Sequence, residues 1–220
     1  MLERFTRFGT ENGFFEFKSL SQLDKSCCTN ATTEVIDYDK TKEVLSKAMQ
    51  INQPKSADAL KIFPQLNRID FIELKGFEKF IQYNSSSNNS DKNVTNQISK
   101  FRLSDKIKDS LFILYLLTKN REFRCSHKET EQYQRASKNY IIVVDIDLYQ
   151  SPIKDRLMTL SFLSEDPSNI KAKIVSELTN AVNSIPMSDL DNLEKPKLLS
   201  CNTIDRYYES LNSQFNITVV

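Results

Sequence analysis

The chain has 220 residues, with thirty Lys plus Arg against twenty-nine Asp plus Glu and a net charge of +1. That length suits one domain with a core of its own, and 27% charged against 39% hydrophobic residues excludes the disordered and polybasic-tail classes. The rare residues exclude more: Gly9, Gly13 and Gly76 are the only glycines, and they form neither a GxxxxGK[ST] loop nor a GxGxxG turn for ATP or NAD phosphates. One histidine, His127, rules out sites that need two or more, and its polar setting, REFRCSHKETEQ, reads as solvated surface.

The N-terminal stretch MLERFTRFGTENGFFEF is charged throughout and lacks the apolar run of a secretory signal. Asp39 to Gln50 fits a helix with Val44, Leu45 and Ala48 inward. Two apolar runs follow, KSADALKIF (55–63) and RIDFIELK (68–75), separated by a Pro-containing turn and read as strands. From Asn84 to Asn93 eight of ten residues are Ser or Asn, which predicts a polar loop over 84–99. Ser104 is the expected N-cap, with Asp105 in the first turn, of a helix running to about Thr118. NYIIVVDIDLY (139–149) is the strongest strand signal, apolar enough to lie centrally in a sheet. Asp166, Pro167 and Ser168 open a helix with Ile170, Ile174, Leu178, Ala181 and Val182 inward, and a short helix follows Asn202.

The expected architecture is a single mixed α/β domain over 1–220, with its core at about 34–148 and a helical extension at 150–220. The apolar stretches at 111–117 and 140–144 are far shorter than the roughly 20 residues of a membrane span, so no membrane partner is expected. Cys27, Cys28, Cys125 and Cys201 form no CxxC pair and read as four reduced thiols, which points to an intracellular, cytoplasmic (or nuclear) setting. Charge is uneven: residues 100–138 hold ten basic against five acidic side chains, a local surplus just downstream of the segment that carries chemistry.

That segment is SADALKIFPQLNRIDFIELKG (56–76). A hairpin turning at Pro64 to Asn67 opposes residues whose numbers sum to 131. Leu60 then meets Phe71 and Ile62 meets Ile69 on one face, Lys61 meets Asp70 on the other, and Asp58 lies across from Glu73. Side chains alternate with period two, so Lys75 shares the face of Glu73. Two carboxylates roughly 5 Å apart repel unless a divalent ion, a shared proton or the Lys75 ammonium offsets them. Mg²⁺ (or Mn²⁺) suits hard oxygen ligands and leaves positions open for a phosphate oxygen.

This arrangement resembles the PD-(D/E)XK, or restriction-endonuclease-like, nucleases. Asp58 matches the first acidic position of that superfamily, and Glu73, Leu74 and Lys75 match its ExK tripeptide; Ala57 stands where the motif name has proline. The resemblance implies a mixed sheet core flanked by helices. It also implies that Asp58 and Glu73 ligate Mg²⁺, that the Leu74 backbone carbonyl joins them, and that Lys75 handles the attacking water. A further acidic ligand from an earlier element would be Glu43 or Glu34. Lys106 and Lys108, near the positive end of the following helix, are candidate phosphate contacts. A second ExK, Glu16, Phe17 and Lys18, has too little chain before it to build such a site and reads as a short peripheral strand.

The function expected is hydrolysis of phosphodiester bonds in DNA, ahead of RNA, and a homodimer would serve double-strand cleavage. The alternative is a catalytically idle module of the same fold that binds a protein or nucleic-acid partner.

Overall fold

The structure is a computed structural model describing residues 2–84, 90–120, 125–148, 167–186 and 192–214. Six strands form one mixed sheet in sequential order: β1 (Phe17–Ser19), β2 (Glu34–Asp37), β3 (Ala59–Phe63), β4 (Arg68–Lys75), β5 (Ser137–Val144) and β6 (Lys197–Ser200). β1 to β4 pair antiparallel, whereas β4, β5 and β6 run parallel. Parallel neighbours need long crossovers. Between β4 and β5 these are the helices α4 (Glu78–Asn84), α5 (Ser90–Ser99), α6 (Leu103–Lys119) and α7 (His127–Gln134). Between β5 and β6 the crossover carries α8 (Pro167–Asn183). Helices α1 (Leu2–Glu11), α2 (Leu20–Leu23), α3 (Tyr38–Met49) and α9 (Ile204–Gln214) complete the described elements.

The hairpin forms in the expected register, with Leu60 opposite Phe71, Lys61 opposite Asp70 and Ile62 opposite Ile69. A 3-10 turn at Pro64–Leu66 closes it, and Asn67 takes the left-handed conformation (φ 47°) that reverses the chain. With few glycines, the chain gives such positions to Asn67, Gln50, Arg102 and Asn192, of which Asn tolerates a positive φ best. At the start of α6, Arg102 (φ 51°) is the residue before the first turn, and its Nε donates to Asp105 Oδ2 at 2.6 Å. The helix therefore begins one residue before Ser104, the expected cap.

Both sides of the sheet are covered. Ile69 and Phe71 on β4 and Tyr140, Ile142 and Val144 on β5 pack with α3, α6 and α8 through Leu45, Ile107, Leu114, Ile174 and Leu178. The alternate residues Ile72, Leu74, Ile141 and Val143 pack with Ile204 and Tyr208 of α9 and with Cys27 and Cys28. Burial on two faces explains the apolar run YIIVV of β5, while β4, buried on both faces as well, carries Asp70 and Glu73 inside.

Several expectations change. β5 ends at Val144 rather than 149, because the Asp145 carboxylate turns away to accept the Phe77 and Glu78 amides (2.7 and 2.9 Å) at the start of α4. The Ser/Asn-rich stretch is not a loop throughout: α5 spans Ser90–Ser99 and buries Val94 and Ile98, four residues apart on one helix face. The segment after 150 is not purely helical, since β6 extends the sheet beside β5. Ala48 is exposed, and α3 instead buries Tyr38, Thr41, Leu45 and Ser46. Cys28 and Cys201 are joined by a disulfide rather than held as free thiols. Asp166, expected at the start of α8, and Arg121 and Arg124 of the basic stretch 100–138 lie outside the described residues.

Candidate active site

The row Ile69, Phe71, Glu73, Lys75 points from β4 toward α6, and its apolar half is core. At its carboxyl end the row turns polar. Glu73 is fully buried (0% exposed), while Lys75 and Asp58 keep 15% and 25% of their side chains open. Asp58 sits one residue before β3, across from Glu73 in the continued register. Its Oδ2 accepts the Leu74 amide at 2.6 Å, which ties the acid to the strand end.

The approach to Asp58 is fixed from two sides. Its carbonyl accepts the Tyr38 amide (3.1 Å) at the start of α3. Upstream, Lys55 N donates to Asp109 Oδ2 (2.9 Å) and Ala57 N donates to Ser110 Oγ (2.8 Å), so residues 55–57 are hung on α6. Ser110 Oγ in turn donates to the Lys106 carbonyl at 2.7 Å, one turn back. Asp58 and Lys106 are thereby held against each other by the same helix.

Two ammoniums lie among the carboxylates. Lys75 bonds Glu73 Oε1, stands 3.7 Å from Asp58 Oδ2 and donates to its neighbour's carbonyl, Leu74 O, at 2.8 Å. The Phe101 ring lies 5.3 Å from its ammonium, near enough for a cation–π contact. Lys106 Nζ is 2.5 Å from Glu73 Oε1 and 3.5 Å from Asp58 Oδ1. Lys106 therefore belongs to the cluster itself, whereas Lys108 is exposed on the outer side of α6.

Electrostatics follow from burial. Burial first, and the charge of Asp58 second, push the Glu73 carboxyl up to about 7 against the pull of Lys75 and Lys106. Burial alone would lower the Lys106 ammonium; the charges of Glu73 and Asp58 outweigh it and leave that group raised. Glu73 Oε2 and the Tyr140 hydroxyl are both buried without a hydrogen-bond partner among the described residues. Tyr140 lies on the same sheet face, and burial together with the charges of Glu73 and Asp58 holds its phenol well above the ordinary range.

The structure thus brings together Asp58, Glu73, the Leu74 carbonyl and Lys75. It does not bring Glu43 or Glu34 to them. Glu43 faces outward on α3 and pairs with Lys47 (2.6 Å) and Lys40 (3.5 Å). Glu34 lies at the far end of β2, where Ile36 pairs with Leu60 and Asp37 with Ala59, so its place is beside Ile62 and away from Asp58. Two other acids reach the ammoniums of the cluster: Asp39, in the first turn of α3, acts on Lys106, and Asp24 acts on Lys75.

Lys106 had a readable signal: it is three residues after Leu103 and four before Ser110, both buried, which puts it on the inner face of α6. The Glu16–Lys18 copy of the tripeptide is an edge strand whose Lys18 bonds Asp37 at 2.8 Å. Hard oxygens dominate the site, and the orphaned Glu73 Oε2 is an acceptor still to be filled, so this donor set fits a small divalent ion. No family model, no curated protein and no solved structure matches the chain.

Proposed function

We propose that the chain is a Mg²⁺- or Mn²⁺-dependent phosphodiesterase of the PD-(D/E)XK type acting on nucleic acid, with DNA ahead of RNA. The observation that carries this reading is Glu73: a fully buried carboxyl with one unpartnered oxygen, set beside Asp58, Lys75 and the Leu74 carbonyl. An ordinary salt bridge has no reason to bury an acid and leave an oxygen unsatisfied, because that arrangement costs about 1–3 kcal/mol. The order β2, β3, β4, α6, β5, an antiparallel meander followed by a helix and a parallel strand, also supports it.

Asp58, Glu73 and the Leu74 carbonyl would hold the ion, which when bound lowers the pKa of a water and offsets charge building on the phosphate oxygens. Lys75 orients the attacking water, because its ammonium is held by Glu73 Oε1 and the Leu74 carbonyl and keeps the third of its three N–H donors, Asp58 Oδ2 standing off at 3.7 Å. The raised carboxyl of Glu73 has to give up its proton before it can ligate an ion, so metal binding would strengthen as pH rises through about 7. Lys106 lies between the same two carboxylates, and with an ion held there its ammonium would be free to meet a phosphate oxygen. Lys108, two residues further along α6, is exposed on the helix's outer side and stands apart from this surface.

Lys106 also supports a second reading. Once Glu73 is ionised, two carboxylates and two ammoniums cancel, and a cluster neutral without an ion would serve a catalytically idle module that binds a partner. Calorimetry with Mn²⁺ separates the two. The hydrolase reading expects saturable binding that Glu73→Ala removes while the circular dichroism spectrum stays unchanged; no heat of binding in the wild type favours the idle module.

A further inference from the structure

On the other face of the sheet, below the end that carries Lys75, three sulfurs converge. Cys28 and Cys201 are bonded across 173 residues, with Cα atoms 5.2 Å apart. The Cys27 sulfur lies 3.2 Å from that of Cys201 and 3.8 Å from that of Cys28. Adjacent residues on a strand would point to opposite faces. Here a turn presents both: Asp24 Oδ1 accepts from Ser26 N (2.8 Å), Ser26 Oγ (2.7 Å) and Cys27 N (3.2 Å), and the Asp24 carbonyl accepts from Cys28 N (3.1 Å).

The three sulfurs also differ in access. Cys27 and Cys28 are buried, whereas Cys201 is partly exposed. All three line a cavity of about 350 Å³ at the carboxyl ends of β5 and β6, with Ser200, Asn202 and Asp147 among its other walls. A bond needed only as a staple would leave no reason for a third thiol in contact with it.

We propose that Cys27, Cys28 and Cys201 form a thiol–disulfide exchange site, in which Cys201 passes between its two neighbouring cysteines and is reached through the cavity by small thiols. In the internal step the Cys27 thiolate attacks the Cys201 sulfur. The Cys27–Cys201 bond forms, the Cys28–Cys201 bond breaks, and Cys28 leaves as a thiolate that takes up the proton Cys27 gave up. No oxidant or reductant is consumed. A small thiolate entering the cavity attacks the same sulfur, releases Cys28 and is displaced in turn by Cys27 or Cys28, so it is regenerated.

The starting position of Cys27 is held by two backbone contacts: its thiol donates to the Val143 carbonyl (3.6 Å), and its sulfur accepts the Lys75 amide. Burial and the charges of Asp145 and Asp24 push that thiol up to about 12, so the attack runs through a small thiolate fraction and the internal exchange is slow without an added thiol.

The test uses the full chain, purified without reductant, as wild type and as Cys27→Ser, Cys28→Ser and Cys201→Ser. Free thiols are counted after denaturation, and alkylated positions are found by mass spectrometry. The wild type should show two free thiols of its four cysteines, Cys27 and Cys125. Cys28→Ser should show one, with a new Cys27–Cys201 bond, and Cys201→Ser should show three. A folded Cys28→Ser chain with three free thiols overturns the proposal, as does one zinc ion retained per chain on the three sulfurs. A wild-type measurement guards against a variant that does not fold: after incubation with a mixture of reduced and oxidised glutathione, the alkyl label should divide between Cys27 and Cys28. Label confined to Cys27 overturns the exchange.

Discussion

Glu73 gives the sharpest quantitative consequence. Its carboxyl titrates at about 7 in the folded chain against 4.5 for the free side chain, because burial and Asp58 disfavour its charge. Between those two values the folded state retains a proton that the unfolded state has released, so stability is greatest at the acid end and falls as pH rises through about 4.5 to 7. That gap corresponds to about 3 kcal/mol, with the opposing pull of Lys75 and Lys106 already counted in it. Glu73→Gln keeps the shape and removes the titration. Urea unfolding followed from about pH 5 to pH 7 should show the wild type losing stability relative to Glu73→Gln, by about 1–3 kcal/mol over the window. Every other acid is common to the two chains, so the difference isolates one carboxyl. Parallel curves with no pH-dependent gap would refute the burial argument.

Other substitutions probe its surroundings. Lys106→Met removes the ammonium between Asp58 and Glu73 and should tighten Mn²⁺ binding by calorimetry by about tenfold, roughly 1.4 kcal/mol, as an ion no longer competes with it. Asp145→Ala leaves the first amides of α4 uncapped and should cost about 1 kcal/mol in chemical denaturation. On the opposite sheet face, Asp70 is fully buried and bonded through both oxygens to Arg68 at 2.7 and 2.8 Å. Arg68→Met leaves that buried carboxylate with Tyr208 and the charge of Lys197 but no bonded cation, so the thermal midpoint should fall with a loss of about 3 kcal/mol.

The central hairpin was legible because local signals agreed. The Pro-containing turn, the Leu60/Phe71 and Ile62/Ile69 rows and the Lys61/Asp70 pair all require the same register. Alternation then put Asp58, Glu73 and Lys75 at one end without further information. The edge strands β1 and β6 were harder, since runs of three and four residues are strands only through the partners they pair with. The helix at Ser90–Ser99 was hidden by its Ser and Asn content, and only Val94 and Ile98 mark its buried face. The cap of α6 falls on Arg102, two residues before Ser104, with a left-handed backbone and no side-chain capping bond, so no capping residue type marks it in the sequence. The cysteine cluster was out of reach, because Cys28 and Cys201 are far apart in the chain and meet only once β6 joins the sheet.

The claim that Asp58, Glu73 and Lys75 form a hydrolytic centre is tested most directly by incubating supercoiled plasmid with the chain in Mg²⁺ beside Asp58→Asn and Lys75→Met. The account predicts nicked or linear product from the wild type, its loss with EDTA, and a fall of at least about a hundredfold in both folded variants. Cleavage at the wild-type rate by either folded variant, or none by the wild type in Mg²⁺ or Mn²⁺, would contradict it.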